Sequence, residues 1–393
     1  MTGAKHFAEG FSDDKDWRKA AVAAAKAART RLGSGPCDLA LVFVSEAFSD
    51  FDPAEFSTLL AKSLAPLRVL GCNASGVIAG RKEVEMTSGI SILAMRLPGV
   101  RIQPFTFTAG ELSRLENGAA LVKELDLYPN ENPKFMILGD PMTGDPERMA
   151  ALFNEAYPGA PLVGGMSSGM LLHKPSWLLL GSHVLQHGLA GVALVGPVEI
   201  QTVVAQGCRP IGEPLIVTKV EGNVLHELGG RSPLEVLRET LSRCTPADQT
   251  LARTSLFAGL VMDESRAIFR RGDFVIRNVL GYDDKSGSLV LGANLRRGQT
   301  LQFQLRDAQT SDQDFSTLLG LLPESDAAPR GALLFSCCGR GKGLYGESDH
   351  DATLVQSLRG PVPMAGFFAN GEFGPVGGRN FVHGYTSSLA LIK

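Results

Sequence analysis

The chain has 393 residues, of which 44% are hydrophobic, and its 38 basic residues nearly balance 41 acidic ones. A chain of this length normally forms more than one core, so we expect two domains, and the balanced charge without a Lys/Arg cluster argues against a nucleic-acid partner. Six scattered cysteines, no apolar leader and no apolar run of about 20 residues predict a soluble cytoplasmic protein with reduced thiols and no membrane segment.

The first predicted element is an alanine-rich helix over 14–32, which Gly33 ends. We assign residues 1–36 to this helix and a linker. Beyond them, short apolar runs alternate with helical windows, which is typical of a mixed α/β protein. We predict two similar halves, each a mixed β-sheet flanked by helices.

Three stretches of the chain repeat one order of strand, helix, glycine turn and strand. The units comprise 39–44, 54–64, 68–76 and 89–94; then 135–139, 146–156, 162–169 and 188–195; then 332–336, 351–358, 364–371 and 383–392. Each turn has two glycines separated by four residues, namely Gly71/Gly76, Gly164/Gly169 and Gly366/Gly371. Glycines fixed in this way indicate a demanding backbone geometry.

The domain boundary is predicted from similarities between longer stretches of the chain. Residues 92–107 and 288–306 are each predicted to form a hairpin that precedes a helix and then a repeat unit, and 193–206 is predicted as a further hairpin. Placing the boundary after that last hairpin gives an N-terminal half, 37–206, with two units. The C-terminal half, 207–393, then contains the third unit and a diverged one.

Several strings in the second half carry a family resemblance. They are Gln206–Pro214, Val217–Asn223, Asp273–Asn278, Arg306–Ala308, Cys338–Gly341, Ala365–Pro375 and Phe381–Thr386. Together and in this order they resemble FIST-domain proteins, over roughly residues 30–393. The resemblance implies N- and C-terminal FIST modules that sense small ligands such as amino acids. With no output kinase or F-box in this sequence, such a sensor would signal through an unknown partner protein in trans.

Two literal motif matches suggest other chemistry. Gly165–Gly169 spells the G-x-S-x-G string of a hydrolase nucleophile, but the positions equivalent to Ser167 in the other units are alanine, which favours a turn serine. Gly341–Gly346 spells G-x-G-x-x-G, but the acidic residue expected about 20 positions later is missing, which argues against a dinucleotide. Loop N–H groups, helped by Arg340 and Lys342, favour an anion contact instead. No cofactor and no metal ion are predicted.

The ligand site is expected where the glycine turns and the two halves approach each other. Arg277 could hold a ligand carboxylate, Glu372 an amino group, and Phe367 and Phe368 could form an aromatic wall. The candidate ligand-binding residues are Asn73, Ser75, Ser167, Ser168, Cys208, Arg277, Arg340, Phe367, Phe368, Asn370, Glu372 and His383.

The sequence leaves two other functions open beside the sensor. One is an enzyme that acts on an anionic small molecule or nucleotide through the Gly339–Gly346 loop, with Cys208 or His383 as the reactive group. The other is a protein-interaction scaffold without a ligand, which would be supported if Phe367 and Phe368 filled the expected pocket. We favour the sensor and assign no catalytic residue.

Overall fold

The computed structural model describes residues 6–169, 175–323 and 328–393. The helices are α1 (Trp17–Leu32), α2 (Pro53–Ser63), α3 (Ala109–Arg114), α4 (Gly118–Leu125), α5 (Pro146–Ala156), α6 (Pro233–Ser242), α7 (Pro246–Ser255), α8 (Ala308–Leu321), α9 (Lys342–Tyr345) and α10 (His350–Arg359), with a 3-10 turn at Pro129–Glu131. The strands are β1 (His6–Ser12), β2 (Leu39–Ser45), β3 (Val69–Ala74), β4 (Gly76–Ala79), β5 (Lys82–Glu85), β6 (Ile90–Arg96), β7 (Arg101–Phe107), β8 (Lys134–Gly139), β9 (Leu162–Met166), β10 (Leu178–Leu180), β11 (His183–Leu185), β12 (Leu189–Val195), β13 (Ile200–Ala205), β14 (Cys208–Glu221), β15 (Val224–Leu228), β16 (Leu256–Val261), β17 (Phe274–Asp283), β18 (Ser288–Leu291), β19 (Thr300–Arg306), β20 (Gly331–Cys337), β21 (Met364–Ala369), β22 (Glu372–Val376), β23 (Arg379–His383) and β24 (Ser387–Ile392).

Three six-stranded mixed sheets contain the three repeat units. Their strand orders are β1-β6-β2-β3-β10-β11, β23-β22-β9-β8-β12-β7 and β13-β24-β20-β21-β4-β5. In each sheet the closing strand of a unit pairs antiparallel with its first strand, which pairs parallel with the strand of the glycine turn. The prediction of a mixed α/β protein built from repeated strand, helix, glycine-turn and strand units is confirmed.

The three sheets exchange hairpins in a cycle. The hairpin after the first glycine turn, β4–β5, pairs with β21 of the third unit. The hairpin of the second unit, β10–β11, pairs with β3 of the first, and that of the third unit, β22–β23, pairs with β9 of the second. Each glycine turn is therefore the point at which the chain leaves one sheet and enters the next.

This exchange corrects the predicted hairpins. In the described sheets, the strands within 92–107, 193–206 and 288–306 pair with other partners and not with each other. Asn370 and Gly371 also join strands of different sheets, β21 and β22. Sequence alternation predicts that a strand exists, but it does not determine the strand's partner, so consecutive strands were wrongly paired.

Helices cover the outer faces of the first two sheets, and the core lies on both sides of them. Most of the alanines of α1 are buried because β1 comes very close: a Cβ on Gly10 would lie 2.0 Å from the backbone oxygen of Ala24. Between the sheets, the ring of Phe43 packs 4.9 Å from that of Phe367, which packs 5.6 Å from Phe335. This inner core joins residues from all three sheets.

The chain divides into two compact units. The three-sheet unit comprises Met1–Val204 and Leu318–Lys393, and the barrel unit comprises Ala205–Thr317. The barrel unit is a closed barrel of strand order β14-β15-β18-β17-β16-β19 around its own apolar core. The predicted halves, 37–206 and 207–393, differ from these units because the third repeat shares one sheet with strands of the first repeat and another with strands of the second.

Within the described residues, no helix has both the length and the apolar composition needed to cross a bilayer.

Candidate functional site

The structure brings the glycine turns of the three repeats together in the three-sheet unit. The hydroxyl of Ser167 lies 2.8 Å from both the backbone oxygen and Oδ1 of Asn73. The hydroxyl of Ser168 accepts a 2.8 Å hydrogen bond from the backbone N–H of Ser75 and donates to the backbone oxygen of Phe368. Five of the predicted site residues therefore meet at one place, which we call the turn centre.

The turn centre is filled by the protein itself. Ser167 and Ser168 have no exposed surface, and Asn73 and Ser75 are nearly as buried. Phe367 lies in the inner core, where its ring contacts two other phenylalanines. A buried hydroxyl that is already hydrogen-bonded within the fold stabilises the fold. Ser167 thus has the contacts of a turn serine.

Glu372 and His383 pair across β22 and β23 beside the turn centre. The Glu372 carboxyl accepts a 2.5 Å hydrogen bond from the Thr386 hydroxyl, and burial raises its pKa well above the usual range. His383 is also buried, with Nε2 lying 3.0 Å from the backbone oxygen of Gly374. Asn370 is exposed, and its N–H donates to the backbone oxygen of Met166. These contacts also hold the exchanged hairpin in place.

The Gly339–Gly346 loop already contacts two anions, both supplied by the chain. The fully buried Arg340 donates to Asp351 over 2.7 and 3.1 Å and also to the Tyr345 hydroxyl. The backbone N–H of Lys342 donates to the carboxylate of Glu85 over 2.8 Å. The sequence predicted an anion contact at this loop. In the structure, the anions that the loop contacts are the carboxylates of Asp351 and Glu85.

Two predicted site residues belong to the barrel unit. Cys208 is buried as a free cysteine at the start of β14, opposite Arg306 on β19. Arg277 lies half-buried on β17 and donates to the backbone oxygen of Ile276 over 2.9 Å.

A pocket of about 240 Å³ lies beside the turn centre, at the carboxyl end of β2. Its walls come from the loop between β2 and α2, from Asn73, and from the exchanged β10–β11 hairpin with the segment before it. The lining residues are Val44, Ser45, Glu46, Phe48, Ser49, Phe51, Pro53, Asn73, Pro175, Ser176, Trp177, Val184 and Gln186. Ligands of open α/β sheets commonly bind at the carboxyl ends of strands, which is where this pocket is found.

Asn73 fixes one wall of this pocket. Its Nδ2 donates to the backbone oxygen of Pro175 and its Oδ1 accepts from the backbone N–H of Trp177, each over 2.9 Å. Gly169 approaches closely from the second repeat: a Cβ there would lie 2.5 Å from Nδ2 of Asn73 and 2.7 Å from Oε1 of Glu46. The second glycine of that turn therefore leaves room for two side chains that line the pocket.

The lining of this pocket combines a buried carboxylate with aromatic faces. Glu46 is only 6% exposed. The rings of Phe51 and Trp177 stack, with centroids 5.4 Å apart and planes 9° apart. The hydroxyl of Ser176 is buried and makes no hydrogen bond to the residues that the structure describes. A carboxylate beside aromatic rings attracts a cation, and a free hydroxyl offers a further hydrogen bond.

Sequence reasoning placed Asn73 at the site but missed Glu46, Ser176 and Trp177. One available signal was the position of Glu46, which directly follows the first strand of its repeat, as Asp140 does in the second. A polar residue at the carboxyl end of a buried strand is a common ligand contact. The contribution of Ser176 and Trp177 depends on the exchanged hairpin, which no local pattern predicts.

Two family models match consecutive parts of the chain. A model of the FIST N domain matches residues 38–231, and a model of the FIST C domain matches residues 233–375. The chain belongs to the FIST family, whose domains are associated with sensory binding of small ligands.

Relatives of similar length occur in mycobacteria. The chain is 38% identical over 387 residues to "Uncharacterized protein Rv0628c" of Mycobacterium tuberculosis, covering 97% of this chain and 98% of the relative. It is 37% identical over 388 residues to "Uncharacterized protein Mb0898c" of Mycobacterium bovis, covering 97% of each.

Proposed function

We propose that this protein is a sensory module that binds a small metabolite through a protonated amino group, with amino acids as the first class to test. The pocket at the carboxyl end of β2, which we call the amine pocket, is the binding site in this proposal. An unidentified partner protein receives the signal in trans. The family supports the sensory role, and the lining of the pocket supports the amine.

One observation carries the proposal: Glu46, Ser176 and the stacked Trp177 converge on one enclosed space. A buried hydroxyl without a hydrogen bond is costly, and a carboxylate that lines a pocket can accept charge-assisted hydrogen bonds from a cation. A protonated amine within the pocket can donate hydrogen bonds to Glu46 and Ser176 and can lie against the aromatic faces. A pocket of about 240 Å³ limits the occupant to a small molecule.

The walls of the pocket suggest how binding is transmitted. Glu46 and Phe51 belong to the first repeat, whereas Ser176, Trp177 and Val184 belong to the second, which supplies the exchanged hairpin. A ligand that contacts both repeats strengthens their association, because it binds only when both walls are in place. The partner would then distinguish the tightened form from the ligand-free one.

The test is a thermal-shift screen of the purified protein. Its panel contains amino acids, primary amines without a carboxylate, carboxylic acids without an amine, and nucleotides. A ligand that binds only the native state raises the melting temperature. The proposal predicts shifts with amines, lost in Glu46→Gln and kept in Glu116→Gln, a variant of an exposed residue. Shifts with nucleotides alone would contradict the proposal and support the enzyme.

A ligand-free scaffold is a second candidate, because Phe367 and Phe368 are buried and fill the turn centre where the ligand was first expected. The scaffold predicts no shift with any member of the panel. That result would show that no compound of the panel binds the amine pocket and would contradict the sensor proposal.

A further inference from the structure

The exchanged hairpin β4–β5 is fastened to the third repeat by three backbone hydrogen bonds to carboxylates. The N–H of Ala352, near the start of α10, donates to Oε1 of Glu83 over 2.7 Å. The N–H of Glu83 donates to Oδ1 of Asp349 over 2.6 Å, and the N–H of Lys342 donates to Oε1 of Glu85 over 2.8 Å. We call these three contacts the hairpin clasp.

Glu83 is the most buried carboxyl group of the clasp. It is only 5% exposed, although it follows an exposed turn and belongs to a short edge strand. Its Oε2 is buried and makes no hydrogen bond to the described residues. An ionised carboxylate with one unsolvated oxygen is strongly disfavoured, whereas a neutral carboxylic acid can be buried at a much lower cost.

Several charged and titratable groups surround Glu83. From α10 and its first turn come Asp349, His350 and Asp351; from the loop and α9 come Arg340, Lys342 and Tyr345; and from its own strand comes Glu85. The positive charge of Arg340 is committed to Asp351, to which it donates two hydrogen bonds. If Glu83 were ionised, the charge of Asp351 would therefore repel it, and Arg340 would offset this repulsion only in part.

We propose that the hairpin clasp is a proton-dependent latch, which holds β5 on α10 while Glu83 is protonated and loosens when Glu83 releases its proton. Burial raises the pKa of Glu83, and the charges of Asp351 and Glu85 raise it further, while the N–H of Ala352 lowers it. Arg340 also lowers it, but less. The proton is thus retained at neutral pH and lost at mildly alkaline pH.

Water reaches the latch through a cleft of about 790 Å³. Glu83, Glu85, Thr87 and Lys342 line this cleft, and so do Phe48 and Ser49. Phe48 and Ser49 also line the amine pocket. The latch therefore has a route for its proton and shares a wall with the proposed binding site. It does not depend on ligand binding, since it rests on the clasp contacts alone.

Hydrogen exchange of the whole protein, followed by mass spectrometry, tests the latch directly. After correction for the intrinsic exchange rate, the protection factor of the peptide containing Ala352 should fall at least 10-fold between pH 6.5 and pH 9. Peptides of α2 should not change over the same range. In Glu83→Gln, whose amide resembles the protonated acid, the loss should disappear, and in Glu116→Gln it should remain. Equal protection of Ala352 at both pH values, or the same loss in Glu83→Gln, would overturn the proposal.

A second measurement needs no variant. In a ¹³C titration of the assigned Glu side-chain carboxyl carbons of the native protein, the resonance of Glu83 should have a midpoint well above the usual Glu value of 4.5, as should that of the buried Glu372. A Glu83 resonance that titrates at or below about 5, near the unperturbed range, would overturn the latch even if Glu83→Gln failed to fold.

Discussion

The hydroxyl of Ser167 lies 2.8 Å from both the backbone oxygen and Oδ1 of Asn73, so one buried serine of the second repeat contacts the glycine turn of the first at two atoms. Asn73 in turn holds the backbone on both sides of Ser176, in the wall of the amine pocket. The repeat architecture and the candidate site therefore depend on the same contacts.

Removing the Ser167 hydroxyl should destabilise the protein measurably. Ser167→Ala leaves the oxygens of Asn73 with one partner fewer in a fully buried place, and we expect a loss of about 1–3 kcal/mol in the free energy of unfolding. The measurement is urea unfolding followed by circular dichroism. Ser113→Ala, at an exposed serine of the same compact unit, is the control. Equal effects of the two substitutions would contradict a structural role for Ser167.

The first glycine of each turn should not tolerate a side chain. A Cβ would lie 1.7 Å from the backbone oxygen of Ile137 at Gly164, and 1.9 Å from that of Leu334 at Gly366. Because a backbone oxygen on the neighbouring strand cannot move aside, Gly164→Ala and Gly366→Ala should leave little folded protein, as judged by soluble yield and circular dichroism. Gly320→Ala is the matched control, since nothing lies within 4 Å of the added methyl, and it should be neutral or slightly stabilising. A folded, stable Gly366→Ala would show that the strands separate more easily than this packing implies.

Removing one member of the buried ion pair between Arg340 and Asp351 should destabilise the protein strongly. Asp351→Asn leaves a fully buried guanidinium without its countercharge, and we expect a loss of about 3–5 kcal/mol by chemical unfolding. Asp50→Asn breaks an exposed ion pair with Arg18 at 3.2 Å and should cost much less, because solvent screens exposed ion pairs. If the two variants lost equal stability, the buried pair would not have the assigned importance.

The same pair sets the response to acid. Burial opposes ionisation of Asp351, but the charge of Arg340 and hydrogen bonds from His350 and Arg340 outweigh it and hold the pKa below its usual value. A carboxylate with a lowered pKa contributes stability above the unfolded value of 3.8 and loses it as the pH falls through the folded value. We therefore expect the wild type to lose stability below pH 4 and Asp351→Asn to lose less over that range. Parallel profiles of the two proteins would contradict this assignment.

The stability contribution of Glu83 depends on pH with the opposite sign. Its folded pKa is raised to about 8, so the stability that its protonated form provides is complete below the unfolded value of 4.5 and declines as the pH rises through the folded value. The melting temperature should therefore fall between pH 6 and pH 9 in the wild type and fall less in Glu83→Gln. A wild-type profile that is flat over this range would contradict the raised pKa.

The sequence predicted the three repeats because period-two apolar strands and paired glycines are local features. It did not predict that β4–β5, β10–β11 and β22–β23 cross to neighbouring sheets, because pairing partners depend on contacts far apart in the chain. The same limit affected the site. Asn73 was found from its turn, whereas Trp177 reaches the pocket only through the exchanged hairpin.

The most direct test of the account is isothermal titration of the best amine from the thermal-shift screen into the wild type, Glu46→Gln and Glu116→Gln. A hydrogen bond to a charged group is worth about 1.5–3 kcal/mol, so Glu46→Gln should weaken binding about 10- to 150-fold, while Glu116→Gln should leave the affinity unchanged. Binding of the amine with the same affinity to all three proteins would show that Glu46 does not hold it, and would contradict the amine pocket as the sensory site.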